Sequence, residues 1–334
     1  LPDALVERFT LAAGRNCPAI SLYLDVAADL RVLGRETCIE IVPVVANLRH
    51  HDIEPLFNED TLTGELPVFP FRDELKLLWE LATVLEAGRG KQSVNQSDYN
   101  FVVGWQAAES SPPAPWQNEP GHIELTERRR GSPLDKLVAE LMIVANAGWG
   151  RDLADAGIPA LYRAQTSGKV RMTSVAAPHE GLGVDCYTWL SSPLRRYVDL
   201  LNQWQLLAHL SGAASPFAAR SEALLSAMRD FEITYAAYAE FQRGMERYWC
   251  LRWLQQEGVG ETTARVVRES LLRLERLPLF LRCPSVPACD PRTRVSVTVS
   301  AIDLLSIEAQ CRYVATVGEA DSAESVEDET FLPE

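Results

Sequence analysis

No run of about 18 apolar residues occurs in the chain, which removes a membrane-spanning helix from the elements to expect. The opening Leu1-Pro2-Asp3 has neither an initiator Met nor the basic-plus-apolar region of a secretory signal. A stretch from the middle of a longer polypeptide, working in the cytoplasm, is therefore expected. His179-Glu180 is not followed by the second His of an H-E-x-x-H zinc helix. No G-x-S-x-G elbow makes Ser191 or Ser192 a hydrolase nucleophile, and no Walker-type glycine loop is present. A dense D-x-D-D cluster is missing as well. The seven cysteines (Cys17, Cys38, Cys186, Cys250, Cys283, Cys289, Cys311) are odd in number and scattered, which suits a reducing compartment. Cys283 and Cys289 lack a second Cys or His pair, so a structural zinc site is not expected.

Positive charge is also in deficit. The 334 residues carry 32 Lys and Arg against 46 Asp and Glu, a net charge of −14, which argues against indiscriminate nucleic-acid binding. Part of the excess lies between Gly318 and Glu334, which holds seven acids and no base and reads as a solvated, disordered tail. Arginines meanwhile gather in the middle of the sequence: Arg128, Arg129, Arg130, Arg151, Arg163, Arg171, Arg195 and Arg196. A narrow basic channel inside an acidic protein is compatible with both facts.

What is present is organised around Tyr187–Leu210. Ser192 suits an N-cap and Pro193 a first helical position, while Leu194, Tyr197, Val198 and Leu201 recur at helical spacing. That reading puts Arg195 and Arg196 in a first turn, at the end of the dipole that normally attracts acids. Free N–H groups, two hydroxyls and a guanidinium would together cradle a phosphate. The alternative is a surface helix whose arginines pair with nearby carboxylates.

The same segment, SSPLRRYVDLLNQWQLL, resembles the T-S-P-I-R-R-Y-x-D-L-x-x-H-R-x-L signature of the RNase II/RNase R (RNB) exoribonucleases. The resemblance implies that Arg195 contacts the scissile phosphate, with Ser191, Ser192, Arg196 and Tyr197 along the RNA. Trp189 stands where the family usually has His, and Ser191 where it has Thr. Further blocks extend the likeness over most of residues 1–260. LPDALVERFTL resembles the family's L-P-x-x-L block, and Phe101 in DYNF matches a phenylalanine that stacks on a base near the 3′ end. A core aromatic is the other reading of Phe101. Glu140 and Asn146 match the V-E-E-x-M-x-x-A-N helix, where Glu140 would orient Arg195 or bind a ribose hydroxyl, unless it is a plain surface helix carboxylate. Leu161-Tyr162-Arg163-Ala164-Gln165 resembles L-Y-R-x-H, with Gln for His. Met245-Glu246-Arg247 matches A-E-R, which makes Glu246 a second catalytic candidate, or simply the partner of an arginine.

Local patterns fill in the rest. Ala19–Val26 and Glu36–Val45 read as a hairpin with Gly34 in its turn, and Tyr99–Val103 with Ile123–Leu125 as a second strand pair interrupted by a Pro-rich insertion at 110–120. Helices are expected over 73–86, ended by Gly88, and over 132–153, 192–210 and 221–257. In the last, Tyr235, Tyr238, Phe241, Met245 and Tyr248 recur at helical spacing and read as core packing against the signature helix. Short strands from Val266 onward suggest a small OB-like barrel. The expected fold is α+β: an RNB catalytic portion (1–265), the barrel (266–317) and the acidic tail (318–334).

The resemblance implies a processive 3′-to-5′ exoribonuclease that hydrolyses single-stranded RNA to nucleoside 5′-monophosphates with two Mg²⁺ ions. Their aspartate ligands would lie upstream of residue 1, leaving no metal ligand in this chain, which would act as a monomer with that upstream segment as its partner. A metal-less RNB-fold module that binds RNA or protein is the reading from a different class.

Overall fold

A computed structural model describes residues 1–91, 97–106, 119–166 and 168–319. The expected acidic tail from residue 320 on, and most of the Pro-rich insertion, lie outside them. In chain order, a short helix α1 (Asp3–Phe9) leads into the antiparallel hairpin β1 (Asn16–Val26) and β2 (Val32–Pro43). Gly34 is not in the turn as expected: it sits in β2 opposite Asp25, and the turn is closed by the Ala27 N–H on the Arg31 carbonyl. Two single-turn helices follow, α2 (His50–Ile53) and α3 (Glu59–Thr63), then α4 (Arg72–Arg89). Helix α4 runs through Gly88 and stops at Gly90, whose left-handed φ of 65° is the conformation that ends a helix. Strands β3 (Ser97–Gln106) and β4 (Glu119–Arg129) pair as expected.

Helix α5 (Pro133–Asp155) begins where the sequence places it: the Ser132 hydroxyl accepts the Asp135 N–H at 3.3 Å, with Pro at the first position. After the small hairpin β5 (Tyr162–Thr166) and β6 (Lys169–Thr173) come α6 (Tyr197–Leu210) and the 35-residue α7 (Glu222–Gln256). Five strands finish the chain: β7 (Glu261–Arg268), β8 (Leu271–Leu274), β9 (Phe280–Arg282), β10 (Thr293–Asp303) and β11 (Glu308–Glu319).

The chain forms two compact units. The first takes the sequence up to β3 and again from Gly131 to Thr234. In it β1 rests Ile20 and Leu22 on a core of Trp149, Leu153, Tyr162, Leu190 and Leu206. A second cluster joins α4 to α5 through Leu75, Leu134 and Leu137, and a third joins α6 to the start of α7 through Val198, Leu201 and Leu224. Gly150 is needed here, because a Cβ would come within 2.9 Å of Thr188 Cγ2 and hold the 186–190 segment off α5.

The second unit combines β3–β4 and α7 from Tyr235 with the last five strands. These make one antiparallel sheet in the order β11-β10-β7-β8-β9, an open OB-like sheet rather than a closed barrel, starting at Glu261 and not at Val266. Its core is built from Val266, Leu272, Leu274, Leu281, Val295 and Val297 with Cys250, Leu251 and Leu254 of α7. The periodicity predicts the aromatic stripe of α7 to be core, but Tyr235, Tyr238 and Phe241 are 47%, 63% and 65% exposed, and Met245 and Tyr248 only half-buried. The start of α7 packs on α6 through Leu224, Met228 and Phe231 instead.

Candidate functional site

The signature segment departs from its sequence reading at one point that matters. Helix α6 starts at Tyr197, not Pro193, and its N-cap is Arg196. Ser192 to Arg196 form a separate turn in which the Ser192 carbonyl accepts the N–H groups of Arg195 (3.2 Å) and Arg196 (3.0 Å). Those two N–H groups are therefore spent, and the Ser192 N–H donates to Asp199 Oδ1 at 2.7 Å. The cradle is thus built of side chains more than of open helix-end amides.

The turn is anchored by buried amides. Asn202 lies on α6, fully buried, and its Nδ2 donates to the Leu161 carbonyl, Thr188 Oγ1 and the Trp189 carbonyl at 2.8–3.0 Å while Oδ1 accepts the Leu161 N–H. Asn146 on α5 accepts the Leu190 N–H at 3.0 Å and donates to Ser191 Oγ at 3.2 Å. Each leaves little of its hydrogen-bonding capacity idle, so the segment 186–191 is held from both sides.

Charge is distributed unevenly on this frame. Arg196 Nη2 donates to Asp199 Oδ1 at 2.7 Å, and Asp199 is fully buried. Burial pushes the Asp199 carboxyl up, against the pull of the Arg196 hydrogen bond and charge. Arg196 Nε and Asp199 Oδ2 are both buried without a hydrogen-bond partner. Arg195 is exposed, and among the described residues its guanidinium has no hydrogen-bond or ion-pair partner. Tyr197 is half exposed beside it in the chain. An unspent guanidinium on a rigid turn can take a phosphate oxygen pair without first breaking another contact.

The other candidates fall elsewhere. Glu140 is fully buried, and its two oxygens accept Nε and Nη2 of Arg89 at the end of α4, whose Nη1 reaches the Leu182 carbonyl. Glu140 is thus not the surface carboxylate of the plainer reading but a clamp between α4 and α5, next to a second rung, Lys136 with Glu86 at 2.8 Å. Phe101 belongs to the second unit, half-buried against the sheet core with Leu125. Glu246 is in the second unit too, on α7. After burial itself, its charge is the main influence raising the Cys250 thiol. Its neighbour Arg247 ties α7 to the sheet through the carbonyls of Phe280 (2.6 Å) and Ile307 (2.8 Å). The arginine cluster of the sequence separates likewise: Arg130 is paired with Asp98 in the second unit and Arg151 with Asp185 in the first.

Among the described residues no three His, Cys, Asp or Glu side chains gather to hold a metal ion. The carboxylate nearest to Arg195 in the chain, Asp199, is already shared by Arg196 and the Ser192 N–H. The residues present do not fit the two-Mg²⁺ site implied by the sequence resemblance. Arg89 and the stacking of Trp189 were not foreseen, although a large aromatic in place of the signature's usual His was a visible sign of the latter.

The RNB domain model matches residues 1–171 and 166–212. This chain belongs to the RNB family. The RNB chain is 31% identical over 204 residues to an uncharacterized ribonuclease of Synechocystis sp., an alignment covering 50% of this chain and 30% of that protein. Its fold is similar to that of Mycoplasma genitalium RNase R, solved in complex with ribose-methylated single-stranded RNA (TM-score 0.72, 15% identity, 94% of this chain and 60% of that one). It is also similar to yeast Ssd1, described as a pseudonuclease (TM-score 0.56, 13% identity, 89% of this chain and 42% of that one). The RNB chain thus spans about a third of the curated relative, 30% of its length. No helix among the described residues is long and apolar enough to cross a membrane.

Proposed function

We propose that the RNB chain is the RNA-holding part of a processive 3′-to-5′ exoribonuclease that degrades single-stranded RNA to nucleoside 5′-monophosphates. The observation that carries this reading is Arg195: exposed, unspent, and fixed on a turn whose every support is buried. Family membership and the ribonuclease homologue support it. In this reading Arg195 neutralises charge on the phosphate, most of all when negative charge builds up during cleavage. Ser191, Ser192, Arg196 and Tyr197 line the path of the strand. Hydrolysis assisted by two Mg²⁺ ions would need carboxylates from outside these residues, so no step of the chemistry is assigned here to the metals. The protein acts as a cytoplasmic monomer.

A second reading has its own support. The absence of a carboxylate cluster among the described residues, and the fold shared with a pseudonuclease, suit a module that binds RNA or protein without cutting. The test is an assay on 5′-labelled single-stranded RNA, with Mg²⁺ and with EDTA, of this chain alone and joined to an aspartate-bearing upstream RNB segment. Metal-dependent shortening from the 3′ end only in the joined form supports the nuclease. Binding without shortening in both supports the second reading.

A further inference from the structure

Trp189 carries more than its place in the core explains. Its indole holds two guanidinium groups, with Cζ of Arg163 at 3.9 Å and Cζ of Arg196 at 4.1 Å from the ring. The ring itself is rigid. Phe231 meets it edge-on at 6.2 Å, its backbone carbonyl is fixed by Asn202, and it is only 9% exposed. The orientation of Arg196 follows from the stack. A guanidinium and a carboxylate left to themselves pair through two parallel hydrogen bonds. Arg196 and Asp199 make one, leaving Nε on one side and Oδ2 on the other without partners. The guanidinium lies over the face of the indole, and Asp199 takes a donor from Nη2 alone.

We propose that Trp189 is a positioning residue: by stacking Arg196 it keeps that guanidinium singly hydrogen-bonded to Asp199, so that the turn presents two cations, Arg195 and Arg196, to successive phosphates of one strand. Arg163 on the same ring adds positive potential behind them. The proposal rests on the RNA reading above and assigns to Trp189 what an imidazole at this position would do less well, since an indole gives the strongest cation–π face of any side chain.

The test measures binding of a short 5′-labelled oligoadenylate in EDTA at several salt concentrations. For single strands each phosphate contact contributes about 0.7 to the slope of log affinity against log salt. Trp189→Met is expected to weaken binding about tenfold and to lower the slope by about 0.7, while Trp189→Phe, which keeps a ring face, restores most of both. A general loss of packing would weaken binding without changing the slope, and that result would overturn the proposal, as would unchanged affinity and slope. Should the Met variant fail to fold, a cycle of Trp189→His with Arg196→Gln decides: Trp189→His must weaken binding with Arg196 present and have little effect once Arg196 is gone, and an undiminished effect sinks the positioning role. Wild-type protein that shows no salt-dependent binding at all refutes the RNA reading itself, an outcome distinct from both.

Discussion

Arg195 differs from the arginines named with it in what its side chain is not doing. Arg196 is stacked and half paired, Arg89 is fully engaged, and Arg151 and Arg130 have carboxylates. A guanidinium held free on a fixed turn has its greatest value where charge develops, in the transition state rather than the ground state. In a preparation that cleaves RNA, Arg195→Ala should lower kcat by about 10²–10³ while RNA affinity changes only several-fold. Parallel losses in the two, measured by single-turnover kinetics and by titration, would rule that role out. The sequence made Arg195 visible because its neighbours Ser-Pro and Arg-Tyr are distinctive in order. It hid the fate of Glu140, because a buried ion pair with Arg89 needs two helices brought side by side, and nothing local distinguishes a clamped glutamate from an exposed one.

At the level of elements, local signals were read well and tertiary ones poorly. The cap at Ser132, the β1–β2 hairpin and the extents of α5 and α7 follow from capping chemistry and periodicity, which act within a few residues. The start of α6 did not, since a single turn closed on the Ser192 carbonyl shares its first residues with a capped helix. Periodicity also misplaced the α7 stripe, for helical spacing says that side chains share a face and not what that face meets. Tyr238→Ser and Phe241→Ser should each alter folding stability by no more than about 0.5 kcal/mol, read from urea unfolding, whereas core residues would cost several times that. The five-stranded sheet has its own electrostatic fastening. Glu275 accepts two hydrogen bonds from Arg294 and one from Arg265, and Arg294 is the main cause holding its carboxyl down at about 2. Because the folded value lies below the unfolded one, this contribution is complete above the ordinary glutamate range and fades as the pH falls toward 2. Allowing for solvent screening it amounts to about 1–2 kcal/mol, so Glu275→Gln should cost that much at pH 7 and almost nothing near pH 2. Melting curves across that range check the sign.

For the whole molecule, the charge of −14 and the proposed phosphate site are reconciled by geometry and not by composition. The cations that matter are few and are fixed by buried amides and an indole, so a small number of residues governs attraction that the bulk charge opposes. Composition alone could not reveal this, because a net charge counts side chains without regard to whether their charge is already spent.

The middle of α7 has one more consequence. From Glu232 to Arg243 every residue but Ala239 is exposed, while Leu224 near one end and Cys250, Leu251 and Leu254 near the other are buried. A helix ordinarily frays from its termini, where the last hydrogen bonds lack neighbours. Here the ends are nailed down by packing, while the side chains of the centre stand largely in solvent. Amide deuterium uptake should therefore run in reverse of the usual pattern, with residues 233–243 exchanging orders of magnitude faster than the flanking turns, and a protease should nick the longest helix at its midpoint.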